Sequence, residues 1–578
     1  MAASTHWLAT AAAQAVLERG GNAFDAAVAG GFVLHVVEPH LNGPGGDLVG
    51  LFATAADPGR PVVLMGQGPA PAGASVEHYR AEGLELVPGA GALAAAVPGA
   101  VDAWFVLLRD HGTWELADVL GFAAGYARDG HPVLGRVGAT IAAVARLFTE
   151  HWPSSARQWM PQGRPPAAGE VIRNPAYARV LERLVEAGAD RPDRASRIDA
   201  ARRAWREGFV ARAAVDFLAV PHRHSSGTDH AGVMTVEDLA AFESGYEPAT
   251  TLGFRGRTIA KSGPWGQGPA LLQALALLDG LDDERLDPST ALGAHTLLEA
   301  QKLALADREA WYGDGDVPLA HLLSPEYAAQ RRALITDTAA HGFRPGRVPG
   351  REPFVPPLRT EYHPGDSSAL SAAGEPTVRP TGETRGDTCH IDVVDRWGNM
   401  VAVTPSGGWL QSSPTIPELG FCLGSRLQMT WLEEGPSQLR PGRRPRTTLT
   451  PTLVLRDGHA VAALGSPGGD QQDQWQLPWL LRTIVGGYTP QQAVDAPTLH
   501  TTSVPGSFWP RTWEPGGAVV EDRLGPAVLA GLARRGHRVV RAGDWSLGRL
   551  SVVTRDPATG VVGAAANPRG AQGYAAGR

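Results

Sequence analysis

From Gly342 to Gly386 the chain is so dense in proline, glycine, serine and charge that it offers too little apolar surface to pack. It runs directly into a strand-like segment, Thr388-Cys389-His390-Ile391-Asp392-Val393-Val394. Any fold must therefore accept an exposed tether that delivers its end into a β-strand. Period-two alternation puts Cys389, Ile391 and Val393 on one face and Thr388, His390 and Asp392 on the other. Asp395 to Asn399 reads as a turn and Met400–Thr404 as the returning strand.

Before the tether the pattern is mostly helical. Leu8–Arg19 predicts a helix closed by Gly20-Gly21, and Phe24–Val37 a second, largely apolar and therefore buried one. Pro39–Gly46 is a glycine-rich turn, Leu48–Thr54 a strand, and Ala270–Leu278 with Leu292–Tyr312 a later helix pair. Beyond the tether, strands are expected at Thr452–Arg456, Ala460–Leu464, Val519–Glu521, Arg538–Val540 and Leu550–Thr554. Helices are expected there at Gln474–Val485 and Gly525–Arg534. With 43% hydrophobic and 19% charged residues, the 578-residue chain is neither disordered nor a coiled coil. Its 59 acidic residues outnumber 52 basic ones and no long basic block occurs, which argues against a nucleic-acid partner. Two cysteines build no disulfide framework and no metal quartet, so neither metal nor cofactor is called for. No basic segment precedes an apolar run, and Ala23–Val37 is broken by Asp25, Gly30, Gly31 and His35. The expectation is a cytoplasmic protein without a membrane span.

Several generic signals fail on context. Gly89-Ala90-Gly91-Ala92-Leu93-Ala94 fits a loose dinucleotide fingerprint but follows Pro88 rather than a strand, and reads as a turn. His222, His224 and His230 have no helical carboxylate motif and no cysteine partner, and read as a solvated loop. Cys389 and His390 face opposite ways and cannot act as a thiol–base pair within their strand; Cys389 is expected in the core. Thr388 is the informative residue. A threonine hydroxyl is a weak nucleophile unless a base adjoins it. Scission of the preceding bond would supply one, because a free α-amino group has a pKa near ~8. That amine can take the hydroxyl proton and return it to the leaving group. Taken locally, a threonine opening a strand is far more often an ordinary strand former.

Several motifs in order now resemble one family. Gly20-Gly21-Asn22-Ala23-Phe24-Asp25-Ala26-Ala27, Val37-Glu38-Pro39-His40 with Gly43-Pro44-Gly45-Gly46, and Val97-Pro98-Gly99 are similar to the opening of the γ-glutamyltranspeptidases. Ala306-Asp307-Arg308 with Tyr312-Gly313-Asp314 resembles a later helix of that family, and Asp387 to Asp395 with Gly398-Asn399 its nucleophile segment. Arg446-Thr447-Thr448-Leu449-Thr450-Pro451-Thr452 and Gly465-Ser466-Pro467-Gly468-Gly469 complete the set. The resemblance implies an α+β N-terminal-nucleophile hydrolase, a four-layer αββα sandwich made as a precursor that cleaves itself between Asp387 and Thr388. A large chain, 1–387, ending in the tether at about 342–387, and a small chain, 388–578, would then associate as a heterodimer. Thr388 would be nucleophile and, through its amine, base; Gly468 and Gly469 would form the oxyanion hole; Ser406 takes the place of a family threonine near the amine.

On the recognition side the chain departs from the pattern. The family's glutamyl-binding arginine falls at Gln67, its substrate-binding asparagine at Gly408, and the aspartate that pairs with the substrate amine at Trp431. A shift of register would put Glu433 in that last role instead. Thr447-Thr448 replace a serine pair, and Gln428 belongs to the same binding group. Gln67 cannot make the charge-assisted fork that holds an α-carboxylate. The resemblance therefore implies an acyl-enzyme on Thr388 resolved by water or an amine, with altered glutamyl recognition and a small amide or keto-acid-type substrate. A hydrolase of a C–C bond bearing an oxalyl-type unit, a true γ-glutamyl transpeptidase, and an uncleaved scaffold relative remain alternatives.

Overall fold

A computed structural model describes residues 1–361, 388–569 and 573–578. Two antiparallel sheets stack face to face. The larger runs in the order Tyr574–Ala576, Ala2–Ser4, Ile391–Val394, Met400–Ser406, Asp47–Thr54, Asp57–Gly66 and Gly245–Pro248. The smaller runs Val562–Ala566, Ser551–Arg555, His459–Gly465, Thr452–Arg456, Arg257–Lys261 and Thr250–Phe254. Strict alternation sorts their side chains into three apolar layers. Ile391, Val393, Val401 and Val403 face the helices Trp7–Glu18, Ala23–Val37 and Ala100–His111. Val49, Leu51 and Ala402 meet Leu453, Ala463 and Val553 between the sheets. Val454, Ala462, Leu464 and Val552 face the helices Gly268–Leu278, Ala291–Trp311 and Gln472–Ile484. The result is a helix–sheet–sheet–helix sandwich.

Local sequence accounts for much of this. The buried helix Ala23–Val37 is opened by a capping box, in which Asn22 and Asp25 satisfy each other's backbone N–H groups. The nucleophile-segment strand is assigned over Ile391–Val394, yet its ladder continues in register to Thr388, which bridges Ser406 while the Cys389 N–H donates to the Pro405 carbonyl at 3.0 Å. Cys389, Ile391 and Val393 lie on the helix-facing side, as period two predicts.

Two sequence expectations need correction. Residues 342–361, assigned to the exposed tether, are partly packed: Val348 joins the helix-facing core, the Gly346 N–H donates to Asp307 at 2.6 Å, and Arg344 pairs with Glu299 at 2.9 Å. Backbone hydrogen bonds and ion pairs hold what apolar area alone would not. The rest of the expected tether, with Asp387, lies outside the described residues. His224 and His230, assigned to a solvated loop, are buried; His224 Nε2 accepts from the Leu93 N–H at 2.9 Å and His230 Nδ1 meets Glu82 at 2.6 Å.

Candidate active site

Thr388 sits 1% exposed at the start of an inner strand, and its Oγ1 lies 3.2 Å from the Ser406 Oγ directly across the ladder. Ser406 ends its strand opposite Asp47, whose carboxylate is held by a two-pronged Arg426 fork at 2.6 and 2.8 Å. The turn that follows, Gly407-Gly408, has φ of +68° and +62° and lies backbone to backbone on the Gly43–Gly46 turn. A Cβ on Gly46 would collide with the Ser406 and Gly407 carbonyls, and one on Gly408 would stand 2.9 Å from the Gly46 nitrogen. The glycine-rich turn therefore exists to let two backbones touch beside Thr388. Val97-Pro98-Gly99 closes the same corner, with the Gly99 N–H donating to the Gly46 carbonyl at 3.0 Å.

On the other sheet, the His459–Gly465 strand ends in Ser466–Gly469 at the start of the Gln472–Ile484 helix. Gly468 and Gly469 have φ of +130° and +53°, and a Cβ on Gly468 would collide with the Trp475 ring. Backbone N–H groups at a helix start favour negative charge. Two glutamines tie this loop to the threonine pair. Gln267 accepts the loop into its network by donating from Nε2 to the Gly469 carbonyl at 3.2 Å, and its own N–H donates to the Thr447 carbonyl at 2.9 Å. The Gln472 amide, oriented by the acceptors around it, donates to the Ser466 and Thr448 carbonyls at 3.1 and 3.2 Å.

The residues at the predicted recognition positions are fixed by neighbours. Trp431 is fully buried; its Nε1–H donates to Glu309 at 2.7 Å and the Arg511 guanidinium lies 3.5 Å over its ring. Glu309 also takes Arg446 at 2.7 Å and Arg511 at 3.0 Å, and Arg308 joins Glu309 to Asp470 and to Gln267. Burial alone would raise the Glu309 carboxyl, but Arg446, Arg511 and Arg308 outweigh it and hold it well below the usual range. Gln428 donates to Ser425 at 2.8 Å and accepts the Trp509 N–H at 3.0 Å. Gln67 is fully buried, with its Nε2 on the Gly68 carbonyl at 3.1 Å, and the Thr447 Oγ1 accepts the Leu449 N–H at 3.2 Å. The Thr448 hydroxyl and the Gln67 Oε1 have no hydrogen-bond partner among the described residues. Trp409 packs with Met429 and Phe508, and Trp431 with Leu86, Trp509 and Phe354, so this flank is aromatic.

Sequence reasoning missed the Arg308–Glu309–Arg446–Arg511–Asp470 cluster and both bridging glutamines. Only Arg308 and Arg446 lay inside quoted motifs; Arg511 is 202 residues from Glu309 in sequence. A different buried group, His295, Glu299 and His537, brings three metal-type ligands within 4.8 Å of one another. There the Lys302 ammonium already pairs with Glu299 at 2.7 Å, so the protein supplies the positive charge itself.

The αββα sandwich, with a hydroxyl residue at the head of an inner strand, is an architecture found among N-terminal-nucleophile hydrolases. The family model Gamma-glutamyltranspeptidase matches residues 9–577, and the chain belongs to that family. The solved structure LmbA2991HD is similar throughout, at 54% identity and a TM-score of 0.94, covering 100% of this chain and 98% of that one. The Glutathione hydrolase-like YwrD proenzyme of Bacillus subtilis is 29% identical over 99% of this chain and 97% of its own length. The Oxamate amidohydrolase proenzyme of Klebsiella pneumoniae is also 29% identical, over 100% of this chain and 98% of its own length. No helix among the described residues is long and apolar enough to cross a membrane.

Proposed function

We propose that the chain is a self-processing threonine acyl hydrolase of this family whose acyl pocket no longer reads a free glutamyl group. The observation that carries it is the Thr388–Ser406 hydroxyl pair, buried at the mouth of an inner strand and braced by Asp47 and Arg426. Cleavage before Thr388 leaves chains of 387 and 191 residues. Both parts contribute strands to each sheet: Ala2–Ser4 lies between Tyr574–Ala576 and Ile391–Val394, and Arg257–Lys261 pairs with Thr452–Arg456, so one broken bond does not release either part. The Thr388 Oγ1 attacks the substrate carbonyl while its own α-amine takes the proton, with Ser406 orienting the pair. The N–H groups of Gly468 and Gly469 receive the negative charge that develops on the carbonyl oxygen. The amine then protonates the leaving group, and water resolves the ester on Thr388, or an amine does so by transfer.

Three features support altered specificity. Gln67 stands where a charged fork would grip an α-carboxylate, Gly408 has no space for a side chain, and Trp431 fills the amine-binding position with an indole locked to Glu309. A relative named for oxamate rather than for glutathione supports this reading. The test is a panel of γ-glutamyl, oxamyl and aromatic-acyl amides with Thr388→Ala as the blank. A non-glutamyl amide should lead, and Thr388→Ala should be one uncut, inactive chain. A γ-glutamyl amide preferred by tenfold or more would refute the altered pocket, and preferential turnover of an oxalyl-bearing keto acid would move the broken bond from C–N to C–C.

A further inference from the structure

The layer between the sheets is largely aliphatic, yet a polar chain crosses it. His390 Nδ1 lies 2.8 Å from the Thr404 Oγ1, His390 Nε2 lies 2.8 Å from one Asp392 oxygen, and the Ser551 hydroxyl donates to the other at 2.7 Å. All four residues are buried. The Asp392 carboxyl takes the Nε2–H of His390, and the Nδ1–Thr404 contact occupies the ring's other nitrogen. Burial pushes the Asp392 carboxyl up, and the His390 imidazole and Ser551 hydroxyl beside it pull it back down.

The position of His390 is what gives the chain a mechanical meaning. His390 lies two residues from Thr388 on the same strand face, and it pairs across to Thr404 as Thr388 pairs across to Ser406. Ser551 belongs to the other sheet and is the register partner of Gly465. A Cβ on Gly465 would run into the His390 ring, and Ser466–Gly469 follow at once. The imidazole thus touches the nucleophile's strand on one side and the root of the glycine loop on the other.

We propose that His390, clamped by Asp392, Thr404 and Ser551, is a positioning residue that sets the spacing between the Thr388 hydroxyl and the Gly468–Gly469 loop without touching substrate. The inference rests on Thr388 being the nucleophile. A misplacement of about 1 Å between reacting groups costs roughly 10²-fold in rate. Hydrolysis of p-nitrophenyl acetate by the mature enzyme reads it, with Thr388→Ala as blank and the processed fraction counted from the two bands. His390→Leu should lower kcat about 10²-fold with KM within about twofold, because only transition-state geometry is lost. Asp392→Ala should lower kcat about tenfold or more, whereas Asp392→Asn, which keeps an acceptor for Nε2–H, should stay within about threefold. Should His390→Leu fail to fold, the Asp392 pair decides. Asp392→Ala with unaltered kcat, or Asp392→Asn falling as far as Asp392→Ala, would overturn the clamp while Thr388→Ala stays inert. Ester hydrolysis by Thr388→Ala at the native rate would overturn the nucleophile reading itself.

Discussion

Glu309→Gln is the most informative single change outside the reacting residues, since it alters charge at nearly constant volume. The carboxylate is fully buried and takes Trp431 and Arg511 on one oxygen and Arg446 on the other, with Arg308 at 3.4 Å. In the native cluster the guanidiniums of Arg308, Arg446 and Arg511 face the carboxylates of Glu309 and Asp470. After the change they face Asp470 alone, and an amide N–H₂ points at donors. Each close ion pair is worth about 4 kcal/mol at an effective dielectric near ~20. Breaking a buried pair from one side costs roughly 3–5 kcal/mol net, because the partner charge stays buried. At a urea slope of about 3 kcal/mol/M the midpoint should fall by about 1–1.7 M, and by proportionally less at a steeper slope. Tryptophan fluorescence reads it directly, as Trp431 sits in the cluster. The pH control has a definite sign. The Glu309 carboxyl is depressed to about 2, so its stabilisation is present above the unfolded value near ~4.3 and is lost as pH falls through about 2. Native protein at pH 5 should therefore keep this contribution. A Glu309→Gln midpoint within about 0.2 M of native would refute the buried-charge reasoning.

Other outcomes follow from the same geometry. Gly468→Ala, which forces a side chain at φ +130° into the Trp475 ring, should leave a folded protein with kcat lowered about 10²–10³-fold; native kcat would show that this loop does not stabilise the oxyanion. Gln67→Arg should raise γ-glutamyl anilide kcat/KM by less than about tenfold, because Gly408 and Trp431 still lack the family's amine-binding groups. A larger gain would mean that the glutamyl pocket is otherwise intact.

The strand that carries Thr388 was legible because alternating Cys389, Ile391 and Val393 must face one way, and they do. The helices near the N-terminus were legible for a similar reason, with Gly20-Gly21 marking the end of the first, whereas the Asn22 cap of the second was not read. Other strands were hidden by their composition. Ala2–Ser4 has no β-branched residue, and Asp57–Gly66 begins with Asp-Pro-Gly and carries a second proline. Thr250–Phe254 and Arg257–Lys261 form a hairpin through Arg255-Gly256, where Arg255 adopts φ +46°, a position that sequence seldom marks with arginine. The candidate site divides the same way. Thr388 and the glycine pair lie in contiguous motifs and Ser406 a few residues beyond one, whereas the cluster locking Trp431 joins residues 308, 309, 446, 470 and 511, which only the tertiary fold brings together.

The most direct measurement is the intact mass of the active, purified protein with N-terminal sequencing of its fragments. Two chains of 387 and 191 residues, the smaller beginning with Thr388, are the predicted result. A fully active protein whose backbone is continuous from Asp387 into Thr388 would contradict the account, because the hydroxyl would then have no amine of its own to take its proton.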